Sequence, residues 1–272
     1  MTDFFESSYC QNKAIWQRRR IAPLFDVMFN LRIMRQMSLL RQHAAQVQPR
    51  KVLVLSVEDP NDPLVLQRIF EDFRRSRHDV TTYGVSMGSR GKFENINLGL
   101  RNFKIDDFDW LVVTDNDVRL PVNFLDLFLL TAETIGLKIA QPAHCCLSYT
   151  SFNFNYRMWN SLGRVTRYVE DGPVTAFHRD VFADVLPFPE LRWGWATDLA
   201  WCAMAAERGI PIGIVDCVPI EHLRPVAKDY PKSLAVAEAR AFLAKRGIAA
   251  AREDMFANTR VVRTADMLSL NP

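Results

Sequence analysis

From Lys51 onward the chain alternates short apolar runs with segments of helical period, and this alternation constrains its fold more than any other feature. The segment KVLVLSVED, starting at Lys51, is a β-branched run that ends in acidic and turn residues. That is the pattern of a parallel strand buried on both faces. Asp62 and Pro63 then stand as N-cap and first helical residue, and Leu64, Ile69 and Phe73 fit one face of an amphipathic helix. The same reading predicts strands at 79–86, 109–114 and 138–141, with helices at 92–103 and 123–135. Strands and helices alternating in this way predict an α/β fold, with a mixed, mainly parallel sheet flanked by helices. Ligands of such sheets bind beyond the carboxyl ends of the strands. Glu58 and Asp59, the loop 86–91 and the turn 115–117 therefore share one rim.

The later half is less regular. Residues 147–167, with Tyr149, Phe152, Phe154, Tyr156 and Trp159, read as an aromatic and Asn-rich loop, a candidate lid. A strand is expected within 168–177, a helix at 197–208 closed by Gly209, a strand at 210–218 and a helix at 233–245. Residues 1–48 read as a helical extension, 49–232 as the main α/β domain and 233–272 as a helical tail. The extension carries Arg18, Arg19 and Arg20, and then an apolar run over 21–40 that is wider than one stripe. It is expected to pack on the main domain or on a second copy in a homodimer, or to attach peripherally to an anionic membrane surface.

Charge narrows the partners. The chain has 34 basic and 31 acidic residues, a net charge of +3, which excludes a dedicated nucleic-acid binder. Its five cysteines (Cys10, Cys145, Cys146, Cys202 and Cys217) form no CxxC pair, so no disulfide framework is expected and a reducing cytosol is the simplest compartment. The start, MTDFFESSYC, lacks the basic and apolar regions of a secretory leader. No run reaches the ~18 apolar residues of a membrane span. A cytoplasmic protein follows, with peripheral attachment to the inner face of the membrane as an alternative.

The strongest chemical signal is DWLVVTDNDVRLP. A buried strand ends abruptly in Asp115-Asn116-Asp117, and two carboxylates one residue apart at such a place suit a hard divalent cation. This segment resembles the D-x-D motif of GT-A glycosyltransferases, the family 2 type in particular, including the Pro121 and apolar helix that follow. Three further segments carry the resemblance in order along the chain. GKFENINLGL supplies Lys92, Asn95, Asn97, Gly99 and Leu100, and WGWATDLAWCAMAAERG supplies Trp193, Trp195 and Asp198. VDCVPIEHLRP supplies His222 and Arg224, and the stretch from Arg167 to Phe182 brings Glu170, Asp171 and Gly172 to the entrance of a donor-sugar strand. The likeness covers residues 51–225.

What the resemblance implies is a GT-A fold and transfer of a sugar from a nucleotide-diphosphate donor to a glycan, lipid-linked or other hydroxyl acceptor. Asp117 and His222 would hold Mn2+ or Mg2+, and Asp115 would assist the metal or contact the ribose. Glu58 would lie near the base and ribose, and Lys92 and Arg224 near the diphosphate. Asp171, Gly172, Trp193 and Trp195 would line the sugar sites. Asp198 would be the general base of an inverting reaction. Thr197 stands where the family has a first acid, which keeps a non-catalytic nucleotide or carbohydrate binder as an alternative. A sugar nucleotidyltransferase is the other alternative, although residues 56–63 lack its Gly-rich basic signature.

Overall fold

A computed structural model describes residues 4–5, 21–88, 90–225, 231–249 and 255–263. Cys10 and the basic cluster Arg18 to Arg20 lie outside the described residues. The sheet is built from β1 (Lys51–Glu58), β2 (Asp79–Ser86), β3 (Trp110–Thr114), β4 (Val118–Arg119), β5 (Ile139–His144), β6 (Ser161–Thr166), β7 (Val174–His178), β8 (Ile212–His222) and β9 (Asn258–Arg263). The helices are α1 (Ala22–Ala44), α2 (Pro63–Arg74), α3 (Lys92–Leu100), α4 (Phe124–Ile135), α5 (Phe182–Val185), α6 (Thr197–Arg208) and α7 (Lys232–Lys245).

The strand order is β2-β1-β3-β7-β5-β8-β6-β9, with β4 paired to β8. Strands β1, β2, β3, β5, β8 and β9 run one way, and β4, β6 and β7 run the other. The sheet is thus mixed and mainly parallel, flanked by helices, as the GT-A reading predicts. Strand residues alternate between two apolar layers. Val52, Val54, Trp110 and Val112 face α1, α2 and α4, while Leu53, Leu55, Leu111 and Val113 face α3, α6 and α7. Each such Val or Leu, fully removed from water, contributes about 1.5–3 kcal/mol. The continuous apolar runs of β1 and β3 are the sequence image of these two covered faces.

Helix boundaries follow local chemistry. Pro63 opens α2 and Asp62 holds the N-cap position, though its side chain makes no capping hydrogen bond. Gly136 and Gly209 close α4 and α6 with φ of 86° and 64°. That left-handed turn is open to glycine at little cost.

Several expectations are revised. The strand expected at 210–218 starts at Ile212 and continues through Pro219 to His222. The stretch read as a loop over 147–167 contains β6, and the tail contains β9. Strand β6 was hidden by its composition. Gly163 stands where a methyl would lie 2.6 Å from Ile135 Cδ1, and Arg164 is buried but paired to Asp216 of β8 at 3.0 Å. The outer parts pack on the sheet and its helices. Helix α1 packs on α4, α7 joins the second apolar layer, and Phe4 and Phe5 are buried in that same layer.

Candidate active site

The rim above β1, β3 and β8 opens into a cleft of about 530 Å³. Three backbone features assemble the corner that could hold a metal ion. Strand β3 ends at Thr114, which throws Asp115 to Asp117 into the turn that follows. Strand β4 then doubles back and pairs with the end of β8, Val118 opposite His222 and Arg119 opposite Glu221. The Leu223 N–H donates to the Asp117 carbonyl at 2.9 Å, which closes the clamp. Residues more than a hundred apart in sequence thereby meet: His222 Nε2 lies 3.1 Å from Asp117 Oδ2. One donor atom from each of Asp115, Asp117 and His222 falls within 4.8 Å of the others.

Two carboxylates and an imidazole suit a divalent ion of the first transition row, and imidazole favours manganese over magnesium. The surroundings already expect a cation. Burial pushes the His222 pKa down, but its hydrogen bond to Asp117 and the charges of Asp117, Asp115 and Glu170 outweigh this and raise it. The Ser148 Oγ accepts from the His222 backbone N–H at 2.8 Å and contacts His144 Nδ1 at 2.7 Å, so a second buried imidazole backs the first. Burial and the neighbouring His222 hold that second ring neutral, with its pKa lowered to about 3.

Lys92, the first residue of α3, donates to Asp115 Oδ1 at 2.7 Å and to the carbonyls of Asp171 and Gly172 at 3.1 and 3.3 Å. An ammonium has three N–H groups, and these three acceptors match them. Lys92 therefore ties the acidic turn to the Asp171–Gly172 segment while lining the cleft. Burial opposes its charge, but Asp115 and Asp171 more than compensate and raise its pKa. Gly91 permits this placement: a methyl there would stand 2.4 Å from the carbonyl oxygens of Leu191 and Arg192.

The opposite wall holds Asp198. Gly194 and Ala196 adopt φ of 75° and 72°, so the chain turns sharply at Trp193 to Ala196 before α6 begins. A non-glycine residue in that region carries backbone strain of about 1–3 kcal/mol. Asp198 sits in the first turn of α6, with Oδ2 accepting from the Tyr168 hydroxyl at 2.5 Å and Oδ1 from the Leu199 N–H at 2.8 Å. Burial raises its pKa to about 7 against the lowering effect of the Tyr168 hydrogen bond. Glu170 and Asp171 stand nearby. Burial and Asp171 push Glu170 up to about 7, and burial with Asp198 pushes Asp171 well above the carboxylate range. Thr197, at the position of the family's first acid, is fully buried and donates to the Gly194 carbonyl at 2.7 Å.

The cleft lining brings together Lys92, Asp115, Asp117, Asp171, Gly172, Trp193, Trp195, Asp198, His222 and Arg224. Glu58 is not among the lining residues. Val57 takes that part of the wall, and the Glu58 carboxylate lies over Gly84 of β2. Glu170, which the sequence placed at the entrance of the donor-sugar strand, is a buried acid that lines the cleft. Sequence reasoning missed other contributors. Glu238 of α7 accepts from the backbone N–H groups of Arg192 and Trp193 at 2.8 Å each, so the tail braces the tryptophan turn. Phe5 stacks on Trp195 with centroids 6.3 Å apart, and Phe4 packs on Phe152, Tyr168 and Phe256. The paired aromatics in MTDFFESSYC were the only signal for the last of these.

No protein-family model and no curated protein matches the chain. Among solved structures it is similar to GalNAc-T7 with UDP, GalNAc and Mn2+, at 9% identity and a TM-score of 0.46, over 71% of this chain and 47% of that one. It is also similar to the catalytic domain of Drosophila beta1,4-galactosyltransferase 7 in complex with xylobiose, at 13% identity and a TM-score of 0.44, over 70% of this chain and 80% of that one. A third similar structure is S. aureus TarS 1-349 in complex with UDP-GlcNAc, at 11% identity and a TM-score of 0.43, over 66% of this chain and 62% of that one. The chain spans about half the length of the first of these, 47%.

Proposed function

We propose that this protein is an inverting, divalent-metal-dependent glycosyltransferase. It takes a nucleotide-diphosphate sugar as donor and a glycan or lipid-linked hydroxyl as acceptor. One observation carries the reading: an Asp115–Asp117–His222 donor set and a carboxylate with a pKa of about 7 face the same cleft. Asp115, Asp117 and His222 would hold the ion. Bound there, Mn2+ supplies the charge neutralisation that a departing diphosphate needs.

The remaining chemistry belongs to the chain's own residues. The acceptor oxygen bonds to the anomeric carbon as the bond from that carbon to the diphosphate oxygen breaks. The acceptor proton passes to Asp198. A carboxylate whose pKa is near the working pH combines a useful ionised fraction with real basicity. Tyr168 and the Leu199 N–H fix its orientation, and Trp193 and Trp195 offer flat apolar faces to sugar rings. Lys92 holds Asp115 and the Asp171–Gly172 carbonyls in register across the donor side. Arg224, exposed at the cleft edge, is placed to meet phosphate oxygens.

The test is nucleoside diphosphate release from a panel of nucleotide sugars with Mn2+. Slow hydrolysis of one donor, lost in Asp117→Ala, is the expected outcome. Donor binding without release by the intact chain overturns the reading, and so does pyrophosphate formation from a sugar phosphate and a nucleoside triphosphate.

A further inference from the structure

The outer face of α1 is the largest feature the transferase reading leaves unexplained. Helix α1 turns Ala22, Ile33, Leu40 and Ala44 into the molecule. Opposite them, Leu24, Phe25, Val27, Met28, Leu31 and Met34 are exposed by 47 to 65%. Leu24, Val27, Leu31 and Met34 follow the three- and four-residue spacing of one helical stripe. A soluble surface rarely leaves so many large apolar side chains together without a partner. Trp159, 45% exposed, extends the patch, with its ring 4.7 Å from that of Phe29.

The charges that α1 itself exposes have one sign. Arg32, Arg35 and Arg41 are exposed on α1. Its sole acid, Asp26, turns away, accepting from the Cys146 N–H at 3.1 and 3.0 Å and lying 3.6 Å from Arg157. In the sequence, Arg18, Arg19 and Arg20 come immediately before. A symmetric dimer through this face would bring the arginines of two copies together with no acid to meet them. A surface of anionic lipid headgroups over acyl chains complements both the charge and the apolar stripe.

We propose that the outer face of α1, with Trp159, docks the protein on an anionic bilayer surface. No described helix is long and apolar enough to cross a membrane, so the helix lies in the interface. The location has a consequence that rests on the transferase reading. The segment from Cys146 to Trp159, which α1 grips, also supplies Thr150, Ser151 and Phe152 to the cleft wall. Docking therefore brings that wall near the lipid surface, where a lipid-borne acceptor would arrive.

The experiment needs no turnover. The full chain is co-sedimented with phosphatidylcholine vesicles, with and without phosphatidylglycerol. Binding is expected only to the anionic vesicles, and it should weaken as salt rises. The double substitution Leu24→Gln with Leu31→Gln, at exposed positions, should lower partitioning by ~tenfold or more while leaving the thermal melt unchanged. Arg32→Gln with Arg35→Gln should weaken binding to anionic vesicles specifically. Failure of the intact chain to bind, or binding by either double variant as strong as that of the intact chain, overturns the proposal. A lipid-free dimer that Leu24→Gln with Leu31→Gln splits assigns the face to a second copy and also overturns it. Donor hydrolysis, measured without vesicles, stands or falls separately.

Discussion

Burial lifts the Asp198 carboxyl from an ordinary value to about 7. Under the proposed transfer, Asp198→Asn keeps the shape and removes the proposed base, so kcat should fall by ~10²–10⁴-fold while the donor KM changes little. On the same reading kcat/KM of the intact chain should decline as pH drops below about 7, because the proposed base must be ionised, and Asp198→Asn should erase that limb. Stability should move the opposite way. Asp198 and Glu170 have ordinary values of 3.8 and 4.5, and burial lifts each to about 7. A group that binds its proton more tightly in the folded state stabilises the fold fully below its unfolded pKa and loses that contribution as pH rises through its folded one. Calorimetry in a chelator should therefore show Tm falling from about pH 5 to pH 8. Glu170→Gln should flatten that slope. Asp115, Asp117 and Asp198 stood out in the sequence because they follow an apolar strand or open a helix, while His222 was singled out by the resemblance alone, and all four line the cleft. Glu170 was placed only at the entrance of the donor-sugar strand, because its burial beside Asn155 and Gln141 leaves no local pattern.

Among the elements, β8 ties the molecule together. Its Asp216 accepts from the Arg164 guanidinium, the Ser161 hydroxyl and the Met158 N–H, and Arg164 in turn donates to the carbonyls of Phe154 and Tyr156. The segment read as an aromatic loop is thus anchored from beneath by one buried ion pair. Asp216→Ala would leave the guanidinium buried without its counter-charge, a loss of about 3–5 kcal/mol, which urea unfolding should register. The elements most legible from sequence, β1, β3 and α6, are those whose apolar pattern matches their burial. Strand β6 escaped because a buried arginine and a glycine fill core positions there. The extension of β8 past Pro219 escaped because its pairing with β4 is a long-range fact, and that same pairing puts His222 beside Asp117.

At the scale of the whole molecule, the proposed ion corner would couple fold to ligand. Strands β3, β4 and β8 each deliver part of it, so an ion that binds only the folded chain should raise Tm. At a hundredfold excess over Kd the gain is about 2.7 kcal/mol. Thermal melts with Mn2+ should show a shift that Asp117→Ala abolishes. The sheet's far edge has its own significance. Strand β9 caps β6 and carries Arg260 and Arg263, charges of the kind that discourage one sheet from adding to another. A shortened form ending after Lys245 would strip this cover and bare the hydrogen-bonding groups of β6. Such a form should precipitate during expression, however intact its cleft, and anyone trimming the protein for crystals would do well to keep its last described strand.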